Sequence, residues 1–144
     1  GADFRIMTEE SCLLTAFSSV GLPGDTGCIY HLKQIVGLAK TIELMALSPR
    51  IYGKEALQLG LATRLAPDGK LEEETNTFAA KLLRRPLSAL AMQKQLYYEV
   101  FYHDYMAYSR LEAENLAKAG ASADHREAVT AFLKGRKPQF NQKN

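Results

Sequence analysis

The sequence predicts a mixed α/β (α+β) chain in which short extended pieces give way to a largely helical C-terminal half. Three observations predict it. Brief apolar runs near the start are bounded by glycine and proline, the pattern of strands that end in turns. Ile29, Leu32, Ile35, Val36, Ala39, Ile42 and Met45 recur at helical spacing. Beyond Pro67-Asp68-Gly69 the periodicity is helical almost throughout. That change of character divides the chain into residues 1–66 and 67–144.

Phe4 to Met7 reads as a strand, followed by the polar connection Thr8-Glu9-Glu10-Ser11. Leu13 to Val20 reads as a second extended segment. Gly21, Gly24 and Gly27 then recur every third residue, with Pro23 among them. Glycine reaches backbone angles that strain other residues, and Pro-Gly favours a tight turn. Asp25 and Thr26 end this turn and are both suited to cap the helix that follows. Its stripe from Ile29 to Met45 is expected to be buried, and Ser48-Pro49 stops it. Arg50-Ile51-Tyr52 is extended, Lys54 to Leu59 is a brief helix closed by Gly60, and Leu61 to Leu65 is a strand. Leu71 to Leu83 is helical, with Phe78 and Leu82 on one face, until Arg84-Arg85-Pro86 breaks it. Leu87 to Ala119 lacks both Pro and Gly and reads as one long helix. A last helix, capped by Ser122 with Asp124 in its first turn, runs to about Leu133.

Composition excludes several classes. The 144 residues are 47% hydrophobic, enough for a core. A net charge of +2, with acids and bases interspersed, argues against nucleic acid as a partner. No apolar run is long enough to span a bilayer, so no membrane partner is expected. Cys12 and Cys28 have no metal-ligand spacing and no disulfide framework; they read as small buried hydrophobes in a reducing cytoplasm. His31, His103 and His125 lack partners at ligand spacing, so no metal site is expected. The glycines match neither the dinucleotide nor the P-loop fingerprint.

Asp25 is the best chemical candidate. It is either a helix cap or a proton-transfer base whose pKa is raised by partial burial among Phe17, Val20, Leu22 and Ile29. Tyr97, Tyr98, Phe101, Tyr105 and Tyr108 recur at steps of three and four, a stripe suited to core or to a subunit interface rather than to base stacking.

Several stretches carry a family resemblance. Ala2 to Ser11, the Gly21 to Gly27 turn, Leu32, Ile35-Val36-Gly37, Glu43-Leu44 and Glu55 to Ala62 are followed by Asp124 to Val129, Ala131-Phe132-Leu133 and Arg136 to Phe140. In order and spacing they resemble the C-terminal half of the enoyl-CoA hydratase/isomerase (crotonase) superfamily. The resemblance implies that residues 1–66 end a crotonase-like ββα spiral core and that residues 67–144 form a helical oligomerisation region, a trimer or dimer of trimers. It implies an upstream half, absent here, that carries the oxyanion-hole amides. The chain then resembles a fragment, nearly inactive alone, whose partner is that half as a separate or cleaved piece.

The resemblance also implies a chemistry. The second glutamate of the hydratases aligns with Phe17, while an acid used by several double-bond isomerases aligns with Asp25. An enoyl-CoA isomerase with Asp25 as proton shuttle is therefore expected, with Phe17, Leu22, Pro23 and Gly24 binding the substrate. Phe132, Lys134 and Lys137 are expected to bind CoA, Gly135 standing where the family often has a lysine. Coenzyme A enters as part of the substrate, and no separate cofactor is implied. The alternatives are a hydratase or other crotonase lyase, or a non-catalytic oligomerisation module of the same fold.

Overall fold

The computed structural model describes residues 1–140. The chain runs β1 (Ile6–Thr8), β2 (Cys12–Leu13), a 3-10 turn (Ser18–Val20), α1 (Cys28–Leu47), β3 (Ile51–Tyr52), α2 (Gly53–Gln58), β4 (Arg64–Ala66), α3 (Leu71–Leu83), α4 (Leu87–Phe101), α5 (Tyr105–Gly120) and α6 (Ala123–Leu133). It forms two compact units that interleave in sequence, each drawing on residues from both sides of position 66.

One unit holds residues 2–13 and 51–106. β1 pairs in parallel with β4, Met7 opposite Leu65, and β2 pairs antiparallel with β3, Cys12 opposite Tyr52. Met7, Ile51, Ala56, Leu61, Ala62 and Ala66 form its core. Arg5 ties β1 to the link between α2 and β4: its Nε donates to the Leu61 carbonyl at 2.5 Å, and its own carbonyl accepts from Thr63 N–H at 2.7 Å. The polar connection after β1 passes against Gly53, whose N–H donates to the Glu9 carbonyl at 3.2 Å. A Cβ at Gly53 would overlap the Thr8 carbonyl oxygen. Only glycine allows that approach.

The other unit holds residues 14–50 and the chain from Ala107 onward. Tyr30, Thr41, Leu44, Ala128 and Ala131 form its core. The 3-10 turn packs on α1 and α6, and Thr15 and Ser18 lash it to the end of α1. Thr15 Oγ1 donates to the Leu44 carbonyl at 3.0 Å, and Ser18 Oγ to that of Ala46 at 3.2 Å.

Several expectations are corrected. The extended segment after β1 stops at Leu13, because Phe17 to Gly21 winds into the 3-10 turn. The strand expected over Leu61–Leu65 is shifted to Arg64–Ala66. α1 is kinked at Gly37 (φ 78°, ψ 165°), and Thr41 Oγ1 donates to the Gly37 carbonyl at 2.8 Å. Two helical stretches meet at Gly37, so a single 3.6-residue stripe does not run through both. The buried residues are consequently Tyr30, Thr41 and Leu44, while Ala39 and Ile42 of the expected stripe are exposed. The long helix from Leu87 breaks at Tyr102–Asp104, where Tyr102 leaves helical angles (φ −124°, ψ 14°) and His103 Nδ1 meets the Val100 carbonyl at 3.1 Å. The tyrosine stripe is thereby divided between two helices. Cys12 and Cys28 form no disulfide and are half-buried rather than buried.

Candidate active site

The glycine turn between the 3-10 turn and α1 is built on left-handed backbone. Gly21, Gly24 and Gly27 have φ of 69°, 143° and 74°. Gly24 is buried, and a Cβ there would meet the Met45 Cε at 3.3 Å and the side chain of Ile29. Thr26 is also left-handed, with φ 54°. For a β-branched residue this is an outlier, costing on the order of 1–3 kcal/mol and kept only where the surroundings impose it.

Asp25 stands between Gly24 and Thr26 with its side chain exposed. Its Oδ1 accepts the Thr26 N–H at 2.6 Å, a local bond typical of Asp in turns. Two expectations for Asp25 fail in this chain. The N-cap of α1 is Gly27, and no side chain of the turn caps the helix. The apolar enclosure is also missing: Phe17, Leu22 and Ile29 are half-buried and Val20 is exposed, as is the carboxylate they were to bury.

The capping role falls to a residue far along the chain. Glu112 on α5 accepts the Gly27 N–H through Oε2 at 2.9 Å, satisfying a helix-terminal amide with a negative charge. Its Oε1 accepts from the Tyr108 hydroxyl at 2.7 Å. The Tyr108 ring lies 5.3 Å from that of buried Tyr30. Burial raises the Tyr108 hydroxyl above its ordinary pKa, and the bond to Glu112 adds to the rise. The Cys28 thiol is likewise pushed up, first by burial and then by the charge of Glu112. Sequence reasoning missed Glu112. Tyr108 and Glu112 stand at i,i+4, the spacing of a helical pair, but nothing in that spacing points to Gly27.

The residues expected to hold CoA lie at the end of α6. Phe132 is 82% exposed in its last turn, and Lys134 is its C-cap. Lys134 and Lys137 are exposed and have no ion pair among the described residues. Arg136 is drawn away to Glu127, with bonds of 2.5 and 2.9 Å to its two carboxylate oxygens. That fork, with the Gln139 N–H at 2.9 Å, holds the Glu127 carboxyl down at about 2. Phe17 and Leu22 are half-buried, Pro23 is exposed and Gly24 is buried. Among the described residues no cluster of His, Cys, Asp and Glu has the arrangement of a metal site. No described helix is long and apolar enough to cross a membrane.

A family model described as enoyl-CoA hydratase/isomerase matches residues 1–143. The chain belongs to the enoyl-CoA hydratase/isomerase family. A probable enoyl-CoA hydratase of Rhodobacter capsulatus is 33% identical over 96% of this chain and 54% of its own length. The 1,2-epoxyphenylacetyl-CoA isomerase of Escherichia coli is 30% identical over 99% of this chain and 55% of its own. The crystal structure of an enoyl-CoA hydratase from Mycobacterium avium subsp. paratuberculosis K-10 superposes with a TM-score of 0.92 at 27% identity. It covers 98% of this chain and 57% of that one. The crotonase-like fold expected from the resemblance is thus the fold observed, and the chain spans about half the length of the relatives it matches.

Proposed function

We propose that this chain is the base-bearing part of an enoyl-CoA double-bond isomerase, with Asp25 as the proton shuttle. One observation carries the reading: Asp25 is the single acidic residue between Glu10 and Glu43, and it stands exposed on a turn of constrained backbone. A carboxylate held this way can take a proton alpha or gamma to a thioester carbonyl. The electron pair passes to the thioester oxygen as a dienolate, and the same carboxyl returns the proton at the other carbon, moving the double bond. The dienolate oxygen would be held by backbone amides of an upstream half of the fold. That half would also enclose Asp25, which this chain leaves open. The acyl group would lie along Phe17, Leu22, Pro23 and Gly24. The adenine end of CoA would meet Phe132, Lys134 and Lys137, so coenzyme A is substrate and no further cofactor is required. Two cysteines that form no disulfide suit a reducing cytoplasm.

The assembly reading rests on α4, which has no buried residue although Met92, Leu96, Tyr97, Val100 and Phe101 lie on it. We read it as covered by other copies in a trimer or dimer of trimers, with residues 67–144 as the oligomerisation region and 1–66 as the end of the core.

Hydration is the second reading, favoured by the name of the Rhodobacter capsulatus relative. Against it, Phe17 occupies the place where the resemblance puts a hydratase glutamate. The deciding experiment supplies an unsaturated acyl-CoA to the chain together with the upstream half. A shifted double bond supports isomerisation, and a hydroxyacyl product supports hydration. Asp25→Asn, which cannot accept the proton near neutrality, should lower isomerisation at least ~100-fold. Near-normal turnover by Asp25→Asn would overturn the assignment.

A further inference from the structure

The turn that carries Asp25 is held from outside. Thr26 is a β-branched residue in left-handed backbone, and such a residue stays there only when its surroundings leave no alternative. The bond immediately after it is the one Glu112 makes: Oε2 to the Gly27 N–H at 2.9 Å, from 85 positions away. The other oxygen of Glu112 is engaged by the Tyr108 hydroxyl at 2.7 Å. The carboxylate therefore cannot swing without losing both partners. Tyr108 is in turn seated against Tyr30 in the first turn of α1. The chain Tyr30–Tyr108–Glu112–Gly27 closes on the same helix end from which it starts.

We infer that Glu112 is a positioning residue for the reaction: by gripping the Gly27 amide it fixes the Gly24–Gly27 backbone and so the direction in which Asp25 presents its carboxylate. This rests on the reading of Asp25 as the base. Glu112 bonds the Gly27 backbone and the Tyr108 hydroxyl, while the Asp25 carboxylate bonds the Thr26 N–H. Its contribution is geometric, and a base misplaced by a fraction of an ångström loses turnover while substrate binding persists.

Glu112→Ala removes both bonds, whereas Glu112→Gln keeps a carbonyl able to accept the Gly27 N–H. In the full 144-residue chain, labelled for amide NMR, Glu112→Ala should move the Gly27 amide proton upfield and speed its exchange at least about 10-fold. Glu112→Gln should restore both, and amides of α6 should not change. An unmoved Gly27 amide would overturn the inference. With the upstream half supplied, Glu112→Ala should lower kcat at least about 10-fold with KM unchanged, Glu112→Gln should recover most of it, and Tyr108→Phe should lie between. Normal kcat in Glu112→Ala, with Asp25→Asn inactive, would make Glu112 a structural tie and overturn the positioning role. Full turnover in Asp25→Asn would instead sink the base reading, a failure visible without any Glu112 variant.

Discussion

The His125 imidazole Nδ1 lies 2.7 Å from the Val20 carbonyl oxygen, joining residues 105 positions apart. A carbonyl only accepts, so Nδ1 carries the proton in this contact. The bond holds the start of α6 against the 3-10 turn, immediately before Gly21. Gly21 is why the two can meet: a Cβ there would stand 3.0 Å from His125 N and 3.2 Å from His125 Cα.

Gly21→Ala should therefore destabilise the chain twice over, through its φ of 69° and through contact with the His125 backbone. We expect a loss of about 2–4 kcal/mol in urea unfolding. Gly69 is the control, because its φ is 71° but nothing lies within 4 Å of the Cβ position. Gly69→Ala should lose about 1–2 kcal/mol from backbone strain alone. Equal losses at the two sites would show that the α6 contact adds nothing.

The pair Glu127–Arg136 sets an acid limb of stability. The Glu127 carboxyl titrates at about 2 in the folded chain because Arg136, and then the Gln139 N–H, favour its charged form. An unfolded glutamate titrates at about 4.3. The folded state thus binds fewer protons, so the stabilisation is fully present above about pH 4.3 and is lost as pH falls through about 2. Arg136→Gln should raise the Glu127 carboxyl toward the ordinary range, the Gln139 N–H still holding part of the depression, read from its side-chain carbon shift against pH. The same variant should flatten the loss of stability below pH 4. A Glu127 titration unmoved by Arg136→Gln would refute this account.

Tyr97 and Phe101 are 53% and 56% exposed on α4, too much aromatic surface for a helix that stays in water. If α4 is covered by other copies, light scattering at micromolar concentration should give a mass above one chain. Phe101→Glu should shift the mass toward a monomer. A monomeric mass for the unaltered chain would end the assembly reading.

The sequence was informative where a single residue type decides the local outcome. Gly60, Gly69 and Gly135 all take positive φ, α3 spans Leu71–Leu83 as its periodicity predicts, and Ser122 caps α6. It was uninformative where distant packing decides. No proline or glycine marks the break at Tyr102–Asp104, so the periodicity ran through it. The kink at Gly37 interrupts α1, whereas a helix pattern assumes one continuous axis. At the site, Asp25 was visible as chemistry, but its exposure depends on neighbours that local spacing cannot place. Glu112 was hidden because its target amide belongs to the backbone, which carries no sequence signal.

Two residues that look alike as caps in the sequence behave differently, and this yields the last prediction. Ser122 Oγ accepts the His125 N–H at 3.1 Å, an N-cap bond that satisfies an otherwise orphan donor of α6. Asp25 instead bonds the adjacent Thr26 N–H, while the amide of the N-cap residue Gly27 is served by Glu112. Ser122→Ala should therefore cost about 1 kcal/mol. Asp25→Ala, at an exposed side chain outside the cap, should cost less than about 0.5 kcal/mol. The measurement is the urea midpoint of each variant at constant slope, so that a change in midpoint reports stability alone. A loss at Asp25 equal to that at Ser122 would mean that Asp25 does cap α1 in solution. A small loss there, beside a normal cap effect at Ser122, would leave Asp25 without a stabilising role to account for its place on the turn.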